Sequence, residues 1–200
     1  MRIIYLHQYF STPAMPGGSR SYEMARQLVS WGHEVHMVTS IRMPMQKRLP
    51  SWTRTEEAGI HVHWCPVPYA NEMSYPRRML SFLQFAWKAA RRAAQIEGDV
   101  VFATSTPLTI ALPAVYASRR RRIPMVFEVR DLWPELPIAV GALKSPVLIA
   151  LARWLEHLAY HHSAQIVALS PGMKAGVTRR GYPPDRVHVI PNAADLDLFN

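Results

Sequence analysis

Residues 1–40 read MRIIYLHQYFSTPAMPGGSRSYEMARQLVSWGHEVHMVTS. Two β-branched runs, RIIYL at Arg2–Leu6 and EVHMVTS at Glu34–Ser40, enclose a segment from Gly18 to Trp31. That segment carries Met24, Leu28 and Trp31 at helical spacing, and Gly32 is placed to cap it. Strand, helix and strand in this span form a βαβ unit, which commits the chain to parallel pairing with a right-handed crossover. The loop FSTPAMPGGSRSY, residues 10–22, then lies on the C-terminal strand edge, where such sheets bind ligands. Gly17 and Gly18 let backbone approach a group that side chains would block, and with Ser19 they bring N–H groups at a helix start to an anion such as phosphate. A tight turn accounts for two glycines as well. The pattern is neither G-x-G-x-x-G nor a P-loop.

The alternation continues to the end of the chain. IHVHW (Ile60–Trp64), DVVFAT (Asp99–Thr104), PMVFEV (Pro124–Val129), AQIVALS (Ala164–Ser170) and VHVI (Val187–Ile190) read as strands. Arg77–Ile96, Pro107–Arg119, Pro146–His161 and Pro171–Arg179 read as helices, the three prolines standing near helix starts where a missing N–H costs least. The fold class is therefore α/β: a doubly wound, mostly parallel, Rossmann-like sheet with helices on both faces. The stretch Ile41–Thr55 is long, proline-rich and basic, and reads as a mobile or functional loop. Residues 1–190 form one domain on this reading. Residues 191–200 begin a linker, with another domain expected beyond.

The chain has 200 residues, nearly half hydrophobic, and a formal net charge of +9. An anionic partner is expected: nucleic acid, a phosphorylated small molecule or a lipid headgroup. The one cysteine, Cys65, excludes an intrachain disulfide. The N-terminus lacks a secretory pattern, and the longest apolar run, PVLIALA, stops at Arg153. A cytoplasmic protein is expected.

Four stretches carry candidate chemistry. In EVRDLWPE, Glu128–Glu135, Arg130 and Asp131 follow an apolar strand into the crevice. A carboxylate there orients a hydroxyl or accepts its proton, and the guanidinium pairs with a phosphate or a neighbouring carboxylate. In ATSTP, Ser105 and Thr106 lie between a strand end and a helix start, where capping is the plainer role. The predicted helix Arg77–Ile96 sets Phe82, Phe85 and Trp87 among Arg77, Arg78, Lys88, Arg91 and Arg92. That pattern suits an anionic membrane interface or, by default, a helix packed on the sheet with solvated cations. The run Arg119–Arg122 adds basic surface at a helix end. No nucleic-acid-binding motif accompanies the charge. A metal is not expected: His157 and His161 are four apart but Glu156 precedes them, so H-E-x-x-H is absent, and His61 and His63 lack a third ligand.

Taken together, STPAMPGGSR after the first strand, VRDLWPE, AQIVALSPGMK and VIPNAADLDLF resemble the retaining glycosyltransferases of family 4, which have the GT-B fold. EVRDLWPE with MRIIYLHQYFSTP is similar to the branch that builds bacterial O-antigen, capsule or colanic-acid units, including N-acetyl-L-fucosamine transferases. The resemblance spans essentially the whole chain. It implies an N-terminal, acceptor-side half, with Pro191, Asn192 and Asp195 at the crossover to a second domain that grips the nucleotide sugar and carries the family's E-x7-E motif. It implies a UDP-sugar donor, no cofactor, and Gly17, Gly18 and Ser19 approaching the donor diphosphate. Asp131 and Arg130 become the catalytic pair, and Ser105, Thr106 and His7 acceptor contacts. Arg77, Arg78 and Lys88 would meet the inner membrane face, where a polyprenyl-diphosphate-linked saccharide acceptor resides. Two features depart from the family: Arg130-Asp131 stands where many relatives have His-Asp, and Ala193 follows Pro191-Asn192 where glycine is usual. A dinucleotide-binding oxidoreductase domain is the runner-up, but it lacks the glycine fingerprint. A non-catalytic basic module that binds membrane or nucleic acid explains the charge but not the site-like strand ends.

Overall fold

The computed structural model describes residues 1–41, 51–68, 73–141 and 143–192. Eight strands form one sheet: β1 (Arg2–Leu6), β2 (Glu34–Ile41), β3 (Thr53–Glu57), β4 (Ile60–Pro68), β5 (Val100–Thr104), β6 (Met125–Val129), β7 (Gln165–Ala168) and β8 (Val187–Val189). Their spatial order is β3-β4-β2-β1-β5-β6-β7-β8, and every pairing is parallel except β3 with β4. The helices are α1 (Arg20–Ser30), α2 (Tyr75–Gln95), α3 (Ala111–Arg121), α4 (Glu135–Ala139), α5 (Pro146–His162) and α6 (Pro171–Arg179). Strand order reverses at β1, which has β2 on one side and β5 on the other. The loops leaving β1, β5 and β6 therefore share one crevice at the C-terminal edge.

Two apolar cores cover the sheet. One joins Ile4, Leu6, Val101, Ala103, Phe127 and Ile166 to α2, α3 and α5 through Phe85, Ala89, Ala114, Leu155 and Ala159. The other joins Ile3, Tyr5, Val35, Met37, Val62 and Trp64 to α1 through Ala25. Alternate residues of β1 feed opposite cores, as a strand buried on both faces requires.

Three expectations need correction. Thr53–Glu57 is a strand, so the loop read over Ile41–Thr55 ends earlier; residues 42–50 lie outside the described residues. TRTEE carries no apolar alternation because an edge strand pairs on one side only. It turns back through Ala58 and Gly59, both at positive φ (51° and 79°), the geometry of a two-residue hairpin. The second correction is α4, a short helix within ELPIA that Pro137 hides from pattern reading. The third is Trp31: α1 ends at Ser30, and Trp31 is exposed beyond the apolar face. Gly32, at φ +80°, does end this helix as expected.

Candidate active site

The C-terminal edge is organised around a charge that the strand pattern conceals. Glu128 sits on β6 with its side chain wholly buried. Its Oε1 accepts from Arg20 Nε at 2.9 Å and Nη2 at 2.8 Å, and its Oε2 accepts from Thr104 Oγ1 at 2.8 Å. The Tyr5 hydroxyl lies 3.1 Å from the same threonine oxygen, and burial pushes the Tyr5 phenol far above its ordinary range. The Arg20 guanidinium is not consumed by the carboxylate. Nη1 donates to the Pro191 carbonyl at 2.9 Å and Nη2 to the Ile190 carbonyl at 3.0 Å. A planar fork of five donors does this where a lysine could not.

This pair draws the two candidate loops together. Arg20 opens α1 two residues after Gly18, and Glu128 stands two residues before Arg130. Gly17 has φ +137°, a conformation that L side chains rarely adopt, so the turn requires it. Gly18 has no such need, and a Cβ there would meet nothing within 4 Å: the space above it is open. Ser19 is the residue before α1 and its side chain caps nothing. The first amides of α1 therefore lack a side-chain partner from it.

At the ends of β5 and β6, the two hydroxyls of ATSTP hold the VRD segment. Ser105, buried, accepts the Arg130 N–H on its Oγ at 2.8 Å, while its own N–H donates to the Glu128 carbonyl at 2.9 Å. Thr106 Oγ1 donates to Asp131 Oδ2 at 3.0 Å. Thr106 has φ +87°, a strained backbone for a β-branched residue and of the kind that clusters at functional sites. Asp131 and Arg130 are half-exposed and line a cavity of about 370 Å³ with Leu132, Glu135, Leu136 and Met173. Arg130 makes no ion pair among the described residues. Beside the Arg130 cation this cavity has two carboxylates, Asp131 held by Thr106 and Glu135 paired with Arg180 at 3.0 Å, and apolar walls, which suits a polar ligand with an anionic group.

His7 sits beneath this edge rather than on it, 1% exposed, its Nδ1 2.8 Å from Ser21 Oγ. Next to it, Gln8 is fully buried, and neither polar atom of its carboxamide has a hydrogen-bond partner. Leaving such a group unsatisfied costs about 1–3 kcal/mol, the kind of deficit a polar ligand removes. Pro191 and Asn192 are exposed at the described end of the chain; Ala193 and Asp195 lie outside the described residues. On α2, Arg77 is exposed and Arg78 and Lys88 half-buried, while Phe85 belongs to the core and Trp87 faces outward.

The sequence reading missed Arg20, Glu128, Thr104 and Gln8. An apolar strand ending in glutamate, PMVFE, was the available signal: a carboxylate inside such a run demands a partner. His36, His61 and His63 form their own group away from this edge. His36 Nδ1 lies 3.3 Å from His63 Nε2, and its Nε2 is 2.9 Å from Glu34 Oε1. Among the described residues, no three His, Cys, Asp or Glu side chains are placed to hold a metal ion.

Solved structures share the fold. HepE from Anabaena, in complex with UDP and glucose, matches with a TM-score of 0.58 at 17% identity, over 98% of this chain and 46% of that one. Sucrose-phosphate synthase from Thermosynechococcus elongatus matches with a TM-score of 0.69 at 12% identity, over 98% of this chain and 49% of that one. The lipopolysaccharide outer core galactosyltransferase WaaB, in its apo form, matches with a TM-score of 0.53 at 14% identity, over 97% and 46%. The chain thus spans about half the length of these proteins and has the fold of one half of a GT-B glycosyltransferase. No curated protein matches the sequence. A family model described as the glycosyl transferase 4-like domain matches residues 17–193, and the chain belongs to that family.

Proposed function

We propose that this chain is the acceptor-side half of a retaining glycosyltransferase that moves a sugar from a UDP-sugar to a lipid-linked saccharide. On this reading residues 1–190 are the acceptor domain, and the linker beginning at Pro191 leads to a domain that holds most of the donor. The observation that carries the reading is the buried Arg20–Glu128 pair, which sets the open backbone at Gly18 and the Arg130–Asp131 cavity on one strand edge. A sugar nucleotide needs both features: backbone and cation for its diphosphate, carboxylate for a reacting hydroxyl.

Same-face transfer passes through an oxocarbenium-like state as the diphosphate leaves. The unpaired Arg130 guanidinium and the amides at the start of α1 stabilise the leaving charge. Asp131, fixed by Thr106, orients the acceptor hydroxyl, and a leaving-group oxygen takes its proton. The branch that assembles O-antigen, capsule or colanic acid is the context that the EVRDLWPE stretch suits, with the enzyme peripheral at the inner membrane face and Arg77, Arg78 and Lys88 towards the lipid.

The test is Asp131→Ala in the enzyme complete with its donor domain. Turnover should fall by about a hundredfold or more, as for loss of one oriented polar group at a reacting centre, with the melting temperature retained. Normal turnover would remove Asp131 from the mechanism.

A further inference from the structure

α4 is a helix that should not hold its place unaided. It is five residues long and none of them is buried. Its backbone hydrogen bonds are local: Leu136 N–H donates to the Leu132 carbonyl, Ile138 N–H to that of Pro134, and Leu143 N–H to that of Pro137. A helix this short has little stability of its own in water. Yet Glu135, Leu136 and Ala139 supply one wall of the Arg130–Asp131 cavity. A contact outside the segment must fix it.

The facing side of α6 provides that contact. Met173, Gly176 and Arg180, the last at the C-terminal cap, stand at spacings of three and four and so share one face of the helix. Met173 lines the cavity itself. Gly176 is buried and makes room for Leu132: a Cβ there would lie 2.7 Å from Leu132 Cδ1 and 2.9 Å from Cδ2. Arg180 Nη2 lies 3.0 Å from Glu135 Oε1. Leu132 and Glu135 are thus met by residues one turn apart on α6.

An ion pair whose partners are 33% and 41% exposed fixes little when it stands alone, because two long side chains must be held still against solvent. This pair has a second anchor. Arg180 Nε lies 3.3 Å from Glu156 Oε2, and the Glu156 side chain, on α5, is only 6% exposed. A carboxylate so placed has little water to turn to, and it keeps its cation. Burial pushes the Glu156 carboxyl above its ordinary range, while the Arg180 charge pulls it down. With Nε committed to a fixed carboxylate, the planar fork presents Nη2 in one direction.

We propose that Arg180 is a positioning residue: braced on the buried Glu156, it fixes Glu135 and, with Leu132 seated over Gly176, holds the segment from Arg130 to Glu135 in the shape that aims Asp131. Asp131 is then held from both sides, its carboxylate by Thr106 and its backbone, through Leu132, by α6. The proposal rests on the transferase reading for the reaction that Asp131 serves; the brace stands on the contacts.

Arg180→Ala alone would strand the Glu156 charge and unfold the chain for that reason. Arg180→Met is therefore made in a Glu156→Gln background and read against Glu156→Gln. Amide exchange at Leu136 and Ile138, followed by NMR, should quicken about tenfold or more, with the amides of α1 unchanged. In the enzyme complete with its donor domain, kcat should fall about tenfold while KM stays within about threefold, the mark of a misaimed group rather than a lost contact. Adding Glu135→Ala should deepen that loss by less than about twofold, because both changes cut one brace. Gly176→Ala should slow turnover about threefold in the wild type but not beside Leu132→Val, which withdraws both Cδ methyls. Unchanged exchange at α4, equal quickening throughout the chain, or quickened α4 with unaltered kcat each overturns the proposal. So do losses at Glu135 and Arg180 that multiply, or a Gly176→Ala loss that is the same in both backgrounds. If the complete wild-type enzyme transfers no sugar, the transferase reading fails, and quickened exchange at α4 alone still upholds the brace.

Discussion

Two arginine–carboxylate couples meet at the end of β6, and the molecule treats them in opposite ways. Glu128 and Arg20 are far apart in sequence, buried together and tied by several hydrogen bonds. Arg130 and Asp131 are adjacent in sequence, half-exposed and not paired with each other. Threonine and serine hydroxyls hold the second couple, leaving its guanidinium free. A buried couple whose charges answer each other and whose remaining donors meet carbonyls is structure; a couple whose charges are oriented but not paired with each other is what a site needs.

The comparison breaks most visibly at Arg20. Arg20→Ala leaves a buried carboxylate with only Thr104 and strips both carbonyls at Ile190 and Pro191. Loss of about 3–5 kcal/mol is expected, a large part of a domain's total stability, read as a lower urea midpoint. Arg20→Lys should recover only part, because one ammonium cannot serve Glu128 and two carbonyls in the fork geometry. If Arg20→Ala unfolds at the wild-type midpoint, the pair is not a keystone and the contrast with Arg130–Asp131 collapses.

Thr106 sharpens the other side. Thr106→Gly relieves the positive φ but removes the donor to Asp131 Oδ2, so the terms oppose and stability should shift by no more than about 1 kcal/mol. Activity should not be spared: kcat of the complete enzyme should fall about tenfold, while Thr106→Ser, which keeps the hydroxyl, stays near wild type. Equal kcat for the two variants would mean that Thr106 shapes the backbone and does not position the carboxylate.

How much of this was legible follows from the range of each interaction. Strands such as VVFAT and MVFEV were readable because burial on both faces leaves a continuous apolar run, and the helices because their apolar stripes repeat locally. Thr53–Glu57 was not, since an edge strand has no buried face to announce it. Arg130 and Asp131 were visible as charges following an apolar strand. Arg20 was not, because its meaning depends on Glu128, 108 residues away, and on carbonyls at the far end of the chain. Gly17 and Gly18 looked alike in sequence; only the backbone separates a glycine needed for its φ from one with empty space above it.

A third treatment of burial completes the comparison. His63 is neither paired like Glu128 nor exposed like Asp131; it is kept neutral. Burial holds its imidazole down to about 3, with Arg54, His36, Arg92 and His61 adding repulsion, and its Nδ1 is buried with no hydrogen-bond partner. The ordinary imidazole value is 6.5, so below it the unfolded chain takes up a proton that the folded chain refuses. Stability from this residue is therefore complete above 6.5 and falls as pH drops towards 3, by roughly 1 kcal/mol per pH unit. His63→Leu removes the proton uptake, so the decline in urea midpoint between pH 6.5 and 4 should flatten relative to wild type. A parallel decline would assign the acid sensitivity to other groups.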